Sequence, residues 1–306
     1  MRAFFHVILV ALMCAAAGPG AAGDRTALGM GALFSNDSIV DGQDRWRTGA
    51  VQYSYVIGRA WDGRLPEHIG DIVEFRFGAE IIAPSNLVAP APAPADRRFV
   101  GAVTFGVHSH WRKRNTELML GGGATFTGSH THLDDLQREF HRIAGFPVAG
   151  PLVDQIANAV YPRAEFEAGQ LLQVSGTTLM RPFVALEAGP ETFARAGVDV
   201  HLKGLGAGDM LVRDSTTGQL YRATHKAPRP RLGFTVGGDV ARVVQSRYLR
   251  ADDGHELTPL RSRVRAGMHF RSVGADGFAG VSFLGREFER QREGQLVGSV
   301  RFRINF

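Results

Sequence analysis

The chain has 306 residues, 35 of them lysine or arginine against 30 acidic ones, a formal charge of +5 and a single cysteine. Cys14 falls in the apolar opening of the chain, so disulfide frameworks and cysteine-ligated metals are excluded. The positive charge is nearly all arginine and is spread along the sequence instead of clustering on a helix, which argues against nucleic acid and suits an anionic membrane surface.

Arg2, an apolar run from Phe4 to Ala17 and the small residues of "GPGAAG" follow the order of a secretory signal, with cleavage expected near Ala21 or Ala22. Residues 1–22 are therefore read as the signal and 23–306 as one domain. The run is too short for a spanning helix, which needs roughly 20 apolar residues.

Beyond it, alternation recurs. "DIVEFRFGAEII" sets Ile72, Glu74, Arg76, Gly78 and Glu80 on one face and Val73, Phe75, Phe77, Ala79 and Ile81 on the other, the period of a strand. The same rhythm marks "GAVQYSYVIG", "FVGAVTFGVHSHW", "TELMLGGGATFTG", "FEAGQLLQVSGTTLM", "PFVALEAG", "AGVDVHLKGLG", "RLGFTVGGDVARVV", "RSRVRAGMHFRSV" and "GFAGVSFLGREFER". Segments of about ten residues split by glycine and charged turns predict an all-β fold, a closed antiparallel transmembrane barrel, with a soluble β-sandwich as competitor. Arginines lining its lumen would account for the basic balance. The last run, "VGSVRFRINF", ends in an aromatic residue, like the final strand of bacterial outer-membrane barrels.

Two stretches break the rhythm. "NLVAPAPAPADRR", 86–98, cannot continue a ladder and reads as an extended loop. The longer one, 128–163, holds "HLDDLQREFHRIAG". There Thr131 and Asp134 suggest a capping box, Gly145 a stop, and Leu133, Leu136, Phe140 and Ile143 an apolar stripe expected to dock on the barrel wall. Gln137 and His141, four apart, share a neighbouring face.

His141 alone says little among eleven histidines, and "SNDS" at 35–38 or "DRWRTG" at 44–49 reads by itself as a turn at a strand end. No segment has the pattern of a serine nucleophile elbow.

The order of these motifs is more telling. Asn36-Asp37 closing the first strand, Thr48-Gly49 entering the second, "EIIAPSN" ending the third, Asp96-Arg97 opening the fourth and Gln137-x-x-x-His141 on a helix after the fifth resemble the outer-membrane lipid A 3-O-deacylase family, from about Gly29 to Arg163. That resemblance implies a twelve-stranded barrel in the bacterial outer membrane, acting as a monomer on lipid A of the outer leaflet. The reaction it implies is calcium-dependent removal of the 3'-acyloxyacyl chain, at a site between the barrel wall and the loop helix. Carried over by position, His141 is the base that activates water, Gln137 and Thr48 are catalytic partners, and Asn36 and Asp37 hold the Ca2+. The chain departs from the family at the loop lysine after the third strand, where Arg97 or Arg98 would have to substitute, and at the acid that follows the histidine, for which Asp154 is the first candidate. The competing function is a non-catalytic pore or structural barrel, or an inactive family member, in which His141 only packs.

Overall fold

The computed structural model describes residues 25–306 apart from 90–91, 94–95, 147–153, 226–231, 273–274 and 305–306. Residues 1–22, expected to be a signal, and Phe306 therefore lie outside the described residues.

Six strands come first: β1 (Thr26–Asn36), β2 (Trp46–Gly58), β3 (Ile72–Ala83), β4 (Val100–Lys113), β5 (Thr116–Thr127) and β6 (Ala159–Gln170), with helix α1 (Leu133–Ala144) between the last two. There follow β7 (Leu172–Ser175), β8 (Thr178–Ala188), β9 (Glu191–Leu202), the pair β10 (Asp209–Arg213) and β11 (Leu220–His225), and then β12 (Leu232–Ser246), β13 (Arg261–Ser272), β14 (Ala275–Leu284) and β15 (Gln295–Ile304). All except β7, β10 and β11 pair antiparallel with their neighbours in chain order. β6 meets β8 from Ala164↔Ala188 to Gly169↔Phe183, and β1 meets β15 at Phe34↔Val300, so the sheet closes as a barrel of twelve strands. Within "FEAGQLLQVSGTTLM" the chain leaves β6, forms the short β7 and enters β8, where alternation alone suggested one run.

The faces are inverted relative to a water-soluble sheet. On β3 Glu74 and Arg76 are buried while Phe75 is exposed, and Phe34, Phe105, Val107 and Val300 also point outward. Apolar outside and charged inside is the pattern of a barrel in lipid. No helix among the described residues is long and apolar enough to cross a membrane. Inside, arginines pair with acids: Arg76 with Glu74 at 2.8 Å and Glu165 at 3.1 Å, Arg213 with Asp199 and Glu167 at 2.8 Å each.

Filling that lumen is an element the sequence pattern did not announce. The β10–β11 hairpin enters it from the rim where β1 begins and β15 ends. Thr224 donates to the Leu28 carbonyl at 2.7 Å, Gln52 to the Arg213 carbonyl at 2.9 Å, and Gln219 to the Val281 carbonyl at 3.0 Å. Glycine on β1 makes room for it: a Cβ on Gly31 would sit 2.6 Å from the Arg222 carbonyl oxygen. Gly31→Val should therefore lower the urea midpoint of the refolded barrel, reflecting a loss of about 1–3 kcal/mol of stability as overpacking costs.

The opposite rim carries the loops 37–45, 84–99, 128–158, 247–260 and 285–294. Longer loops mark the extracellular side of such barrels.

Candidate active site

Thr48 owes its position to a bulge. β2 pairs Arg47 with Ile82 and Gly49 with Ile81, leaving Thr48 as the extra residue. Arg47 consequently turns to Glu80 at 2.9 Å and Glu191 at 2.6 Å in the lumen, whereas the Thr48 hydroxyl lies 2.8 Å from Asp37 Oδ1 and also bonds Asp44 Oδ1. Trp46, just before it, holds a left-handed φ of 51°, a conformation that costs a non-glycine residue free energy and persists here beside the site.

Asp37 opens a short 3-10 turn after β1 and is fully buried. Its Oδ2 accepts the Arg45 backbone N–H at 3.0 Å. Burial pushes its carboxyl up to about 7; the Arg45 and Thr48 bonds pull it down, and the charges of Asp44 and Asp41 push it further up. Asn36 caps the turn: its Oδ1 accepts from the Ser38 N–H at 2.8 Å and from the Ser38 hydroxyl. The oxygen expected to meet a cation is thus engaged with Ser38, so Asn36 orders the turn that carries Asp37.

Helix α1 lies against the outer wall. Gly101, outward on β4 with Val103 and Phe105, is covered by it, for a Cβ there would come within 3.2 Å of the Leu133 Cβ. The expected capping box does not form: His132, left-handed at φ 55°, is the N-cap and its side chain caps no backbone N–H, and Thr131 instead donates to the Gly128 carbonyl at 2.8 Å. Gly145 does end the helix, at φ 75°. The apolar stripe is also corrected. Leu133 alone packs on the wall, while Leu136, Phe140 and Ile143 are exposed and Gln137 and His141 are buried. The face that docks is the one with the site residues.

The hub is Asp44. His141 Nε2 meets its Oδ2 at 2.7 Å, Gln137 Nε2 donates to its Oδ1 at 3.1 Å, and Thr48 bonds the same Oδ1. The structure therefore brings together Asp37, Thr48, Gln137 and His141, with Asn36 one residue away. Asp154, the acid first expected to serve His141, pairs with Arg98 at 3.1 Å instead. Arg97 folds inward, fully buried, and its partner is Glu287. Asp44 was missed although it stands in "DRWRTG", because an acid four residues before the bulged threonine has no periodicity of its own.

The donor set fits a hard cation. Thr48 has one hydroxyl hydrogen yet touches oxygens of two carboxylates, so one contact lacks a proton unless a carboxyl is protonated or a cation neutralises the pair. Gln137 Oε1 is buried without a hydrogen-bond partner among the described residues. Oxygens of this kind suit calcium better than softer metals. No three His, Cys, Asp or Glu side chains converge as a metal cage among the described residues, so a cation would rest on few protein charges.

Residues 4–202 match the family model of the outer membrane protein LpxR. The chain belongs to the LpxR family. LpxR from Salmonella typhimurium is similar in structure, with a TM-score of 0.72 over 91% of this chain and 100% of that one at 16% identity, which establishes the shared fold. The β domain of the Bordetella autotransporter BrkA aligns over 91% of this chain and 99% of its own at 10% identity with a TM-score of 0.43, too low to bear on function. No protein of curated function matches the sequence. As an LpxR-family barrel, the chain is placed in the bacterial outer membrane.

Proposed function

We propose that this protein is a lipid A deacylase, a hydrolase that removes an ester-linked acyl chain, the 3'-acyloxyacyl chain, from lipid A of the outer leaflet with the help of Ca2+. One observation supports this above the rest: a carboxylate–imidazole pair, Asp44 and His141, lies at the outer wall under a helix, beside a buried carboxylate and a hydroxyl. Its place at the outer wall, beside Asp37 and Thr48, sets it apart from the lumenal pair of His110 and Glu74.

His141 acts as general base, taking a proton from the attacking water. Asp44 balances the imidazolium that results, across the 2.7 Å contact, and holds the ring in orientation. Gln137 fixes Asp44 from the other side, and Thr48 ties Asp44 to Asp37. Asp37, with the oxygens of Asp44, Thr48 and Gln137 nearby, would hold the calcium. When bound, that ion supplies Lewis-acid polarisation of the ester carbonyl and charge for the oxyanion. No covalent nucleophile is needed.

A pore is the weaker reading, since the hairpin occupies the lumen. Mass spectrometry of lipid A from cells with and without the protein tests the proposal. Loss of the mass of one acyloxyacyl group is expected, and unaltered lipid A from cells holding folded protein would overturn it.

A further inference from the structure

Helix α1 has three faces, and the site uses only one. Leu133, Gln137 and His141 are buried toward the wall. Asp135, Arg138, Glu139 and Arg142 make a charged strip closed by ion pairs from Arg138 to Asp135 and from Arg142 to Glu139. Leu136, Phe140 and Ile143 form the third, with Ile143 72% exposed and Phe140 50%. Phe146, also exposed, extends it by stacking at 6.3 Å from Phe140.

On a helical wheel the apolar strip is turned roughly 90° from the wall face and roughly 120° from the charged one. A helix lying along a barrel at the membrane surface meets three media in that arrangement: protein at its side, hydrocarbon below and water above. Burying such a strip at the boundary of headgroups and acyl chains is what interfacial helices do. Apolar surface is also exposed on the segments that lead to the site. Phe126, outward at the end of β5 where the chain leaves for the helix, is exposed, and Ile39 and Val40 are exposed on the loop that carries Asp37.

We infer that α1 is an interfacial anchor whose face Leu136, Phe140, Ile143 and Phe146 enters the acyl-chain layer of the outer leaflet, holding His141 at the depth where acyl esters lie. The insertion rests on the faces of the helix and the belt of the barrel, and stands whether or not the site is a deacylase.

The test needs no substrate. In a Cys14→Ser background the only thiol is one introduced, so a nitroxide label can be placed at Ile143→Cys, Phe140→Cys or Arg142→Cys, all exposed positions. The full-length barrel is then reconstituted in phosphatidylcholine vesicles. Labels at 143 and 140 should collide freely with oxygen and little with a water-soluble nickel chelate, and the label at 142 should show the reverse. Adding Ile143→Glu to the 140-labelled protein should shift that label toward the nickel chelate. Equal accessibility at 143 and 142 would overturn the inference, and so would shielding of 143 from both reagents, which would mean that protein covers the strip.

Discussion

His141→Ala should reduce hydrolysis of purified lipid A by about 10²–10⁴-fold, the contribution usual for a positioned acid–base group. The barrel should fold as before, because the helix is held to the wall by Leu133 against Gly101 and His141 belongs to no strand. Asp44→Asn should approach the same loss by a different route. Its amide would face His141 Nε2 where a carboxylate oxygen now stands 2.7 Å away, which favours the other tautomer and removes the counter-charge. Gln137→Ala should cost less, about 10- to 100-fold, as expected for a group acting through another. Asp44 is also the sharper discriminator between an active pair and a merely packed histidine, since the asparagine variant keeps shape and volume. Full activity in Asp44→Asn with retained heat-modifiable migration would remove the pair from the mechanism.

How far these features could be read in the sequence depends on what each depends on physically. The barrel was legible because every wall strand repeats the same two-residue choice between lumen and lipid, and β3 shows it from Ile72 to Ile81. The β10–β11 hairpin was not. Enclosed on both faces, "DMLVR" and "LYRAT" bury polar and apolar residues alike, so no alternation survives to mark them. Its fit is visible only where Gly31 meets the Arg222 backbone. At the site, spacing put Gln137 and His141 on one helical face, and that face is the one that docks. An apolar stripe predicts docking on protein where water surrounds the helix. In a membrane an exposed Ile143 and a buried His141 exchange their usual places. Asp44 depends on the bulge at Thr48, and a bulge leaves no mark in sequence.

Calcium removal should separate chemistry from architecture most cleanly. With Asp37 and Asp44 as the charges in reach and neutral oxygens beside them, affinity should be modest, so a chelator abolishes turnover and added calcium restores it, while the barrel, whose strands take no part, stays folded. Asp37→Asn should raise the calcium needed for activity much more than it disturbs stability. An asparagine oxygen can still accept the Arg45 N–H, and its amide can donate to the Thr48 hydroxyl. The pH dependence has a definite sign. Burial has raised the Asp37 carboxyl to about 7, above its unfolded value, so ionising it costs the metal-free protein stability as pH rises through 7, and below that pH the proton competes with the cation. The calcium requirement should therefore climb as pH falls through about 7. In Asp37→Asn the climb should be blunted, and the metal-free variant should be no less stable than the parent at alkaline pH. Titrating activity against calcium at several pH values in both proteins checks this. Turnover that survives chelation, or is restored by zinc alone, would show that no oxygen-ligated calcium takes part and would return His141 to consideration as a metal ligand.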